Sequence, residues 1–413
     1  RNQAQTPFTL RFMPRPRRAT RRVMTQRFTP LPRPARFALF YGAFYLGFGA
    51  YLPYMPVWFE GRGLSPELIG LAAGAGMAGR VIAAPLGAAL ADRMAKRRHA
   101  VTGFALASLV IFLAHIPAAS PWSIVALALL AGGAYSGVVP VIDAFAMREA
   151  SRRRFAFGPP RSIGSATFIA GNLGCGALIG WTGGEAALYW ALTGAGLSVM
   201  TAFMLPEGRR APAAAKQPGG ARGLIKALSA QGLPLAFAAS ALIQGAHGFY
   251  YAFSAVAWQA AGIPSAYIGA LWATGVAAEI IFFQLSARQL SHISAPMLMA
   301  LGGAAAALRW IALAFSPPLA ALFALQLLHA FSFGASYLGF LRYATANVPG
   351  QFAATAQAVN SALGGGLVLA AATYASGFAY SAFGAGGFAL MAAPSLAGLC
   401  CAAALVRRAR IAP

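Results

Sequence analysis

The stretch "PEGRRAPAAAKQPGGARGLIKALSAQ" occupies residues 206–231 and separates two long apolar regions of the chain. It is polar and basic and contains Pro and Gly, a composition typical of a linker. The connections within each apolar region are much shorter. The chain is therefore predicted to consist of two halves joined by one long linker.

The overall composition indicates the surroundings of these two regions. Of the 413 residues, 59% are hydrophobic and 10% are charged, and the mean hydropathy is +0.63. A soluble domain is roughly a quarter charged. About twelve apolar segments reach the roughly 20 residues that a helix needs to cross a bilayer, whereas barrel strands would be about half as long. We therefore predict an all-α polytopic membrane protein with twelve transmembrane helices in two pseudo-symmetric halves.

The predicted spans fall into two sets of six. The N-terminal half, 36–205, contains spans 36–58, 68–91, 100–119, 122–146, 161–181 and 186–205. The C-terminal half, 233–406, contains spans 233–260, 266–287, 295–315, 318–343, 353–376 and 382–406. Residues 206–232 form the linker and 407–413 a tail. Because the number of spans is even, both termini are predicted to lie on the same side.

The basic residues indicate which side that is. The net charge is +24, and nearly all Lys and Arg lie before the first span, in the linker, in the tail and in alternate loops. The opposite loops carry only Arg62. By the positive-inside rule, both termini and the linker are cytoplasmic. Nucleic-acid binding is not expected, because the basic residues are dispersed over loops without a folded soluble domain.

Two further features of the sequence limit the function classes. Residues 1–35 are rich in Arg and Pro, so we expect them to be disordered, with Met24 as a candidate native start. Cys175, Cys400 and Cys401 are interpreted as small packing residues.

The sequence has no metal-ligand spacing, P-loop or nucleophile elbow. We therefore expect neither an enzyme nor a cofactor, and any transport would be driven by an ion gradient.

Two halves of six spans with a long cytoplasmic loop match the major facilitator architecture, in which substrate binds between the halves near the midplane. The segment "GAALADRMAKRR" (87–98) resembles the loop signature of this superfamily, although Ala88 and Ala95 stand where glycine is usual. Its charged positions are matched by Asp92, Arg93, Arg97 and Arg98. We assign these four residues to conformational gating, since Asp92 can hold the basic loop or a neighbouring helix terminus in one state. The alternative is a topology anchor.

A narrower resemblance covers nearly the whole chain from about residue 36. It is carried by "YLPYMPVWFEGRGLSPELIGL" (51–71), "GSATFIAGNLGCG" (164–176), "HGFYYAFSAVAWQAAGIPSAYIGALWATGVAAEI" (247–280) and "LRWIALAFSPPLAALFALQLLHAFSFGA" (308–335). These segments resemble the 3-phenylpropionate transporter group, near the nucleoside and oligosaccharide proton symporters. The resemblance implies proton-coupled uptake of a small organic solute across the bacterial inner membrane by a monomer.

Span seven contains the first set of candidate substrate-binding residues. In "GAHGFYYAFSAVAWQ" (245–259) a polar and aromatic stripe repeats at helical spacing. It consists of His247, Tyr251, Ser254 and Trp258, with Tyr250 and Gln259 on its flanks. In this architecture spans one, four, seven and ten line the cavity, so the stripe can face a solute. The alternatives are packing between helices and, for Trp258, a position at the membrane interface.

Further candidates lie on spans one and eleven. Tyr45 belongs to an aromatic cluster with Tyr41, Phe44 and Phe48, which can stack on a substrate ring or pack internally. Gln357, Asn360 and Ser361 form a polar cluster that can face the cavity or bond between helices.

Ionisable residues inside the spans are the candidates for proton coupling. Glu279 lies nine residues before Arg288, roughly 13 Å above the cytoplasmic edge, where desolvation favours the neutral carboxyl group. Asp143 is the second candidate, although it can instead pair with Arg80 or Arg161. His329 can substitute for Glu279, relay to it or be structural.

Two arginines inside the spans have other expected roles. Arg80 can neutralise a substrate carboxylate, which favours an aromatic acid such as a phenylpropionate, or it can pair with Asp143. Arg309, on a span that is usually peripheral, is expected to be a structural ion-pair partner. Two other functions stay open: efflux by the same fold, and a sensor or partner protein that no longer transports. An uncoupler distinguishes the three functions. It should abolish substrate accumulation by an importer, raise accumulation in cells with an exporter, and have neither effect with a sensor.

Overall fold

The computed structural model describes residues 31–94, 96–208, 228–229 and 232–411. Within these ranges the chain is almost entirely helical. The predicted disorder of residues 1–35 falls mainly outside the described residues, as do Met24 and most of the linker. Helix α1 begins at Arg33, three residues before the first predicted span.

The N-terminal half consists of six continuous helices that match the six predicted spans. They are α1 (Arg33–Gly61), α2 (Pro66–Arg93), α3 (Arg97–His115), α4 (Pro121–Arg153), α5 (Gly158–Thr182) and α6 (Ala186–Met204). Pro residues stand in the first turns of α4 and α5, where the missing N–H removes no helix bond. Pro53, Pro56, Pro85 and Pro140 lie inside helices without ending them. Neighbouring helices can compensate for the backbone bonds that these prolines remove.

The C-terminal half is divided more finely. Its α-helices are α7 (Leu233–Gly245), α8 (Gly248–Ala260), α9 (Ser265–Gln289), α10 (Ala295–Ala314), α11 (Leu319–Leu327), α12 (Ser336–Asn347), α13 (Ala353–Ala362), α14 (Leu369–Phe383) and α15 (Ala392–Ile411). Between them lie π-helical turns at Ala330–Ala335 and Leu363–Val368, and 3₁₀ turns at Gly350–Phe352 and Gly384–Met391.

Four predicted spans of this half are therefore not single regular helices. Span 233–260 breaks at Ala246 and His247, between Gly245 and Gly248. The spans beginning at 318 and 353 each contain a π-helical turn, and the last begins with a 3₁₀ segment. Glycine stabilises a helix less than most other residues do, and glycines occur at the break in span 233–260 and in the three turns of the other spans.

Hydropathy and length select nine helical stretches of the described residues as candidate membrane spans, and the last of them, Gly350–Arg408, is long enough for two crossings. Helix α1 and the pair α7–α8 complete the twelve. The fold is thus the predicted polytopic all-α fold.

The two halves pack directly against each other at the end that carries loops 62–65 and 261–264. There α2 lies against α14, and a Cβ added at Gly70 would come within 2.7 Å of the Gly377 Cα. Helix α5 meets α9 nearby, where the Tyr54 hydroxyl lies 3.3 Å from the Ser265 carbonyl oxygen. Small residues permit this close backbone approach.

Candidate functional site

Among the described residues, two neighbouring cavities between the halves share four lining residues. The first cavity has a volume of about 270 Å³ and the second about 170 Å³. The shared wall consists of Phe48, Leu52, Tyr251 and Phe333. Both halves contribute to each cavity, and the wall between them is mostly aromatic.

The first cavity brings a cation of one half opposite a carboxylate of the other. Arg161 of α5 lines it on the N-terminal side, and Glu279 of α9 lines it with His329 on the C-terminal side. Aromatic side chains complete the lining: Tyr45, Phe168, Tyr250 and Trp272. This cavity could hold a flat apolar group beside an acid and a base.

Glu279 belongs to a chain of three ionisable groups. Its carboxylate lies 3.5 Å from Nε2 of His329, and the other ring nitrogen, Nδ1, lies 3.1 Å from a guanidinium nitrogen of Arg309. A guanidinium group only donates hydrogen bonds, so Nδ1 must accept and the ring proton lies on Nε2, which faces Glu279. The tautomer of His329 is thus fixed by Arg309.

Arg309 is completely buried and is held by groups that stabilise a cation. It donates to the Gln326 side-chain oxygen at 2.6 Å, and its guanidinium carbon lies 4.6 Å from the ring centre of Tyr250. The Tyr250 hydroxyl donates to the same Gln326 oxygen at 3.1 Å. Arg309 contacts no carboxylate among the described residues, so the expected structural ion pair is replaced by a hydrogen-bonded network that leads to Glu279.

The four residues of the 245–259 stripe do not all reach a cavity. His247 precedes α8 at the break, where Nδ1 lies 3.1 Å from the Gln244 carbonyl oxygen and Nε2 lies 3.3 Å from the Ser332 hydroxyl. Ser254 accepts from the Trp272 indole at 3.1 Å, and Trp258 is buried. Tyr251 lines both cavities. The polar stripe therefore serves largely as packing between helices.

The N-terminal half holds a second ionisable group, centred on Asp143. Its carboxylate accepts from the Tyr41 hydroxyl at 2.7 Å and lies 3.6 Å from Arg161, not beside Arg80. Arg161 also donates to the Tyr45 hydroxyl at 2.6 Å and lies over that ring. Asp143 thus reaches the first cavity only through Arg161.

The second cavity is lined by Arg80 on the N-terminal side and by Asn360 and Ser361 on the C-terminal side. Arg80 makes no hydrogen bond or ion pair with the described residues. Its guanidinium lies against the π-helical turn, where a Cβ added at Gly365 would come within 3.1 Å of it. Asn360 Oδ1 is buried and has no hydrogen-bond partner in the described ranges. Gln357 donates to the Tyr337 hydroxyl at 3.0 Å, at the edge of this cavity.

The predicted gating residues lie at the opposite end of the bundle from the glycine contacts. The side chains of Asp92 and Arg93 are outside the described set, and Arg97 is buried. Arg98 lies 3.9 Å from Glu207, and Lys96 bonds that carboxylate at 2.8 Å. The basic loop is therefore attached to the first residues of the linker.

Sequence reasoning missed Arg161 as a cavity residue and treated it only as a partner for Asp143. A usable signal was present, because Arg161, Ser165 and Phe168 recur at helical spacing on α5 and all line the first cavity. Trp272 and Phe333 carried no comparable signal, since an aromatic residue in an apolar span is ordinarily core.

The profile of the MFS_1 like family matches residues 35–390 of this chain. The chain belongs to that family. It is 31% identical over 363 residues, 87% of this chain and 94% of the relative, to the "Probable 3-phenylpropionic acid transporter" of Escherichia coli (strain K12). It is 27% identical to the maltose permease of Geobacillus stearothermophilus, over 80% of this chain and 84% of the permease.

Solved structures of transporters share this family's fold. The nucleoside transporter NupG matches 91% of this chain and 100% of its own, with a TM-score of 0.78 and 14% identity. A D-xylose-proton symporter matches 90% of this chain and 96% of its own, with a TM-score of 0.65 and 13% identity. The chain is thus a multi-pass secondary transporter of the MFS_1 like family and not an enzyme. The family resemblance predicted from sequence is confirmed.

Proposed function

We propose that this protein takes up small aromatic carboxylates together with protons across a bacterial inner membrane. The observation that carries the proposal is Glu279, a carboxylate deep in the bundle that lines the first cavity beside His329. Residues 36–205 and 233–406 would rock against each other around the two cavities as a monomer, with both termini cytoplasmic.

In this proposal Glu279 carries the coupled proton. It faces the cavity, and among the described residues it contacts the neutral imidazole of His329 and no cation, so it can exchange a proton with cavity water. His329 positions the carboxylate, because its second nitrogen is occupied by Arg309 and cannot take up a proton without losing that bond. Asp143 is less suited to coupling, because Arg161 and Tyr41 both stabilise its charged form.

Arg80 would hold the substrate carboxylate. Its planar guanidinium has no partner among the residues that the structure describes and can bind a carboxylate through two parallel hydrogen bonds. Tyr251 and Phe333 then offer ring faces to the aromatic part of the substrate, and Asn360 lines the same cavity. The printed function of the Escherichia coli relative, a 3-phenylpropionic acid transporter, supports this substrate class.

The direction of opening follows from the close contacts. The glycine contacts between α2 and α14 close the end that carries Arg62, which the positive-inside rule places outside the cell. We infer that the structure represents the inward-facing state. Separation of Gly70 from Gly377 would open the cavities to the exterior.

The proposal is tested by adding aromatic acids, nucleosides and oligosaccharides to de-energised cells that contain the protein, and recording the external pH. Cells without the protein report passive entry of undissociated acid. Alkalinisation above that background with aromatic acids alone is the expected result. Equal traces for both cell types with every aromatic acid, with the protein shown in the membrane, would contradict it, and substrate accumulation that rises with an uncoupler would indicate efflux.

A further inference from the structure

The ionisable groups of the two cavities form a small set whose charges can be counted. Arg80 lines the second cavity, and Arg161 and Glu279 line the first. Asp143 pairs with Arg161, and Arg309 bonds to His329 in the first cavity wall. With both carboxylates ionised, three cations face two anions, so the set carries one excess positive charge.

The histidines do not alter this count. Nδ1 of His329 accepts a bond from Arg309, so this ring holds only the proton on Nε2. Nδ1 of His247 faces two backbone carbonyl oxygens and must donate, while Nε2 lies beside the Ser332 hydroxyl, which can donate to it. Both rings are satisfied as neutral imidazoles.

The excess charge can be located at one residue. Asp143 lies beside Arg161, and Glu279 and Arg309 share the two nitrogens of His329. Arg80 alone in the set has no hydrogen-bond or ion-pair partner among the described residues. A bound monocarboxylate would neutralise it, and protonation of Glu279 would then restore one excess positive charge.

From this count we propose that transport is electroneutral: one monocarboxylate anion moves with one proton, which goes to Glu279. The empty carrier with ionised Glu279 and the loaded carrier with neutral Glu279 then have the same net charge, and these two states reorient. By the same count a carrier with only the anion is neutral, but its two carboxylates, Glu279 and the substrate, face neighbouring cavities and repel each other, which favours uptake of a proton by Glu279. A carrier with only the proton leaves both Arg80 and Arg309 without a negative charge nearby. Closure around the two excess positive charges of the proton-only carrier is unfavourable in a low-dielectric interior, whereas binding of the anion and protonation of Glu279 favour each other.

This inference rests on the proposed function and makes a further claim about charge. The test uses the full chain in vesicles that contain a pH-sensitive dye, with potassium gradients and valinomycin setting the membrane potential. External 3-phenylpropionate is added at equal pH on both sides, and the initial acidification in protein-free vesicles is subtracted. The potential is set to zero or to about 120 mV of either sign, which would change the accumulation ratio roughly 100-fold for each net charge moved.

Electroneutral transport predicts initial acidification rates that agree within about twofold at all three potentials, and final accumulation set by the pH gradient alone. Rates or accumulation that follow the potential would overturn the inference while leaving proton-coupled uptake intact. If acidification never exceeds that of protein-free vesicles with any aromatic monocarboxylate, the proposed function fails and the inference with it.

Discussion

The two halves of the molecule differ in how they build the cavity walls. The N-terminal half uses six continuous helices and presents aromatic rings, the ion pair between Asp143 and Arg161, and Arg80, which has no ion-pair partner in the described part of the chain. The C-terminal half breaks its helices in the cavity region and contains the buried network that connects Arg309 to Glu279. In this account the continuous half recognises the substrate anion, and the interrupted half handles the proton.

The interruptions have a direct structural consequence. His329 lies immediately before the π-helical turn Ala330–Ala335, and Ser332 and Phe333 lie within it. A π-helical turn adds a residue to the helical repeat and so redirects the side chains around it. Gly365 lies in the second π-helical turn and leaves room for the Arg80 guanidinium. Irregular backbone of this kind is tolerated at membrane depth where it lines a cavity or is buried in protein.

The largest expected effect is that of Glu279→Gln, which removes the titrating group and nearly preserves the shape of the side chain. Uphill accumulation in vesicles with a pH gradient should disappear, while exchange of labelled for unlabelled substrate continues. Glu279→Asp is the matched variant and should retain part of the uphill activity. Full uphill accumulation by Glu279→Gln would show that another residue carries the proton and would contradict the assignment of proton handling to the C-terminal half.

Arg309→Gln should have the next largest effect, because it removes the cation that orients His329. The variant loses bonds to His329 and Gln326, and each buried polar group left unsatisfied costs about 1–3 kcal/mol. We expect a lower Tm in detergent and a weakened pH dependence of uptake. Arg161→Gln, the corresponding change in the N-terminal half, should keep the pH dependence of uptake. If both variants lose that pH dependence to the same extent, the two halves do not differ in proton coupling.

Arg80→Gln should weaken binding of the carboxylate substrate about 10- to 100-fold, the range expected for hydrogen bonds to a charged group. Binding of the matching neutral amide should change much less, because the amide makes no ion pair. Arg80→Lys keeps the positive charge but loses the planar guanidinium group, so its affinity for the carboxylate should lie between those of the wild type and Arg80→Gln. Calorimetric titration with both ligands checks this, and equal weakening for acid and amide would argue against a carboxylate at Arg80.

The smallest effect is expected from Glu207→Gln, at the start of the linker. The hydrogen bond from Lys96 lowers the pKa of the Glu207 carboxyl group, so the contact is complete above the ordinary carboxyl pKa and is lost as the pH falls through the lowered value. Because the pair is exposed, uptake at neutral pH should change by no more than about twofold. A loss as large as that of Glu279→Gln would make the linker contact essential to gating.

The sequence was sufficient to predict the fold class and the approximate positions of the helices, because span length and loop charge depend on local composition. It could not show the breaks within the predicted spans. A glycine such as Gly245 or Gly365 permits an irregular turn, but only packing against the other elements decides whether one forms. The same limit applies to the residues between 245 and 259, since the break at His247 changes which side chains face the cavity.

The sequence predicted those residues of the candidate site whose charge is unusual inside an apolar span. Glu279 and Arg80 could be predicted as site residues because ionisable residues deep in an apolar span need a partner or water. Arg161 was predicted only as a possible partner of Asp143 and not as part of a cavity wall. The role of Arg309 depends on His329 and Gln326 of one predicted span and on Tyr250 of another, a combination that no single-sequence pattern contains.

The central claim is that Glu279 takes up the proton when the substrate anion binds. It is tested most directly by adding 3-phenylpropionate to the purified protein in weakly buffered detergent solution and recording the pH change. The wild-type protein should take up close to one proton per bound anion at a pH where Glu279 is ionised in the free protein and neutral in the complex, while Glu279→Gln binds the anion without proton uptake. Equal proton uptake by both proteins, or none by the wild type at any pH where it binds, would contradict the account.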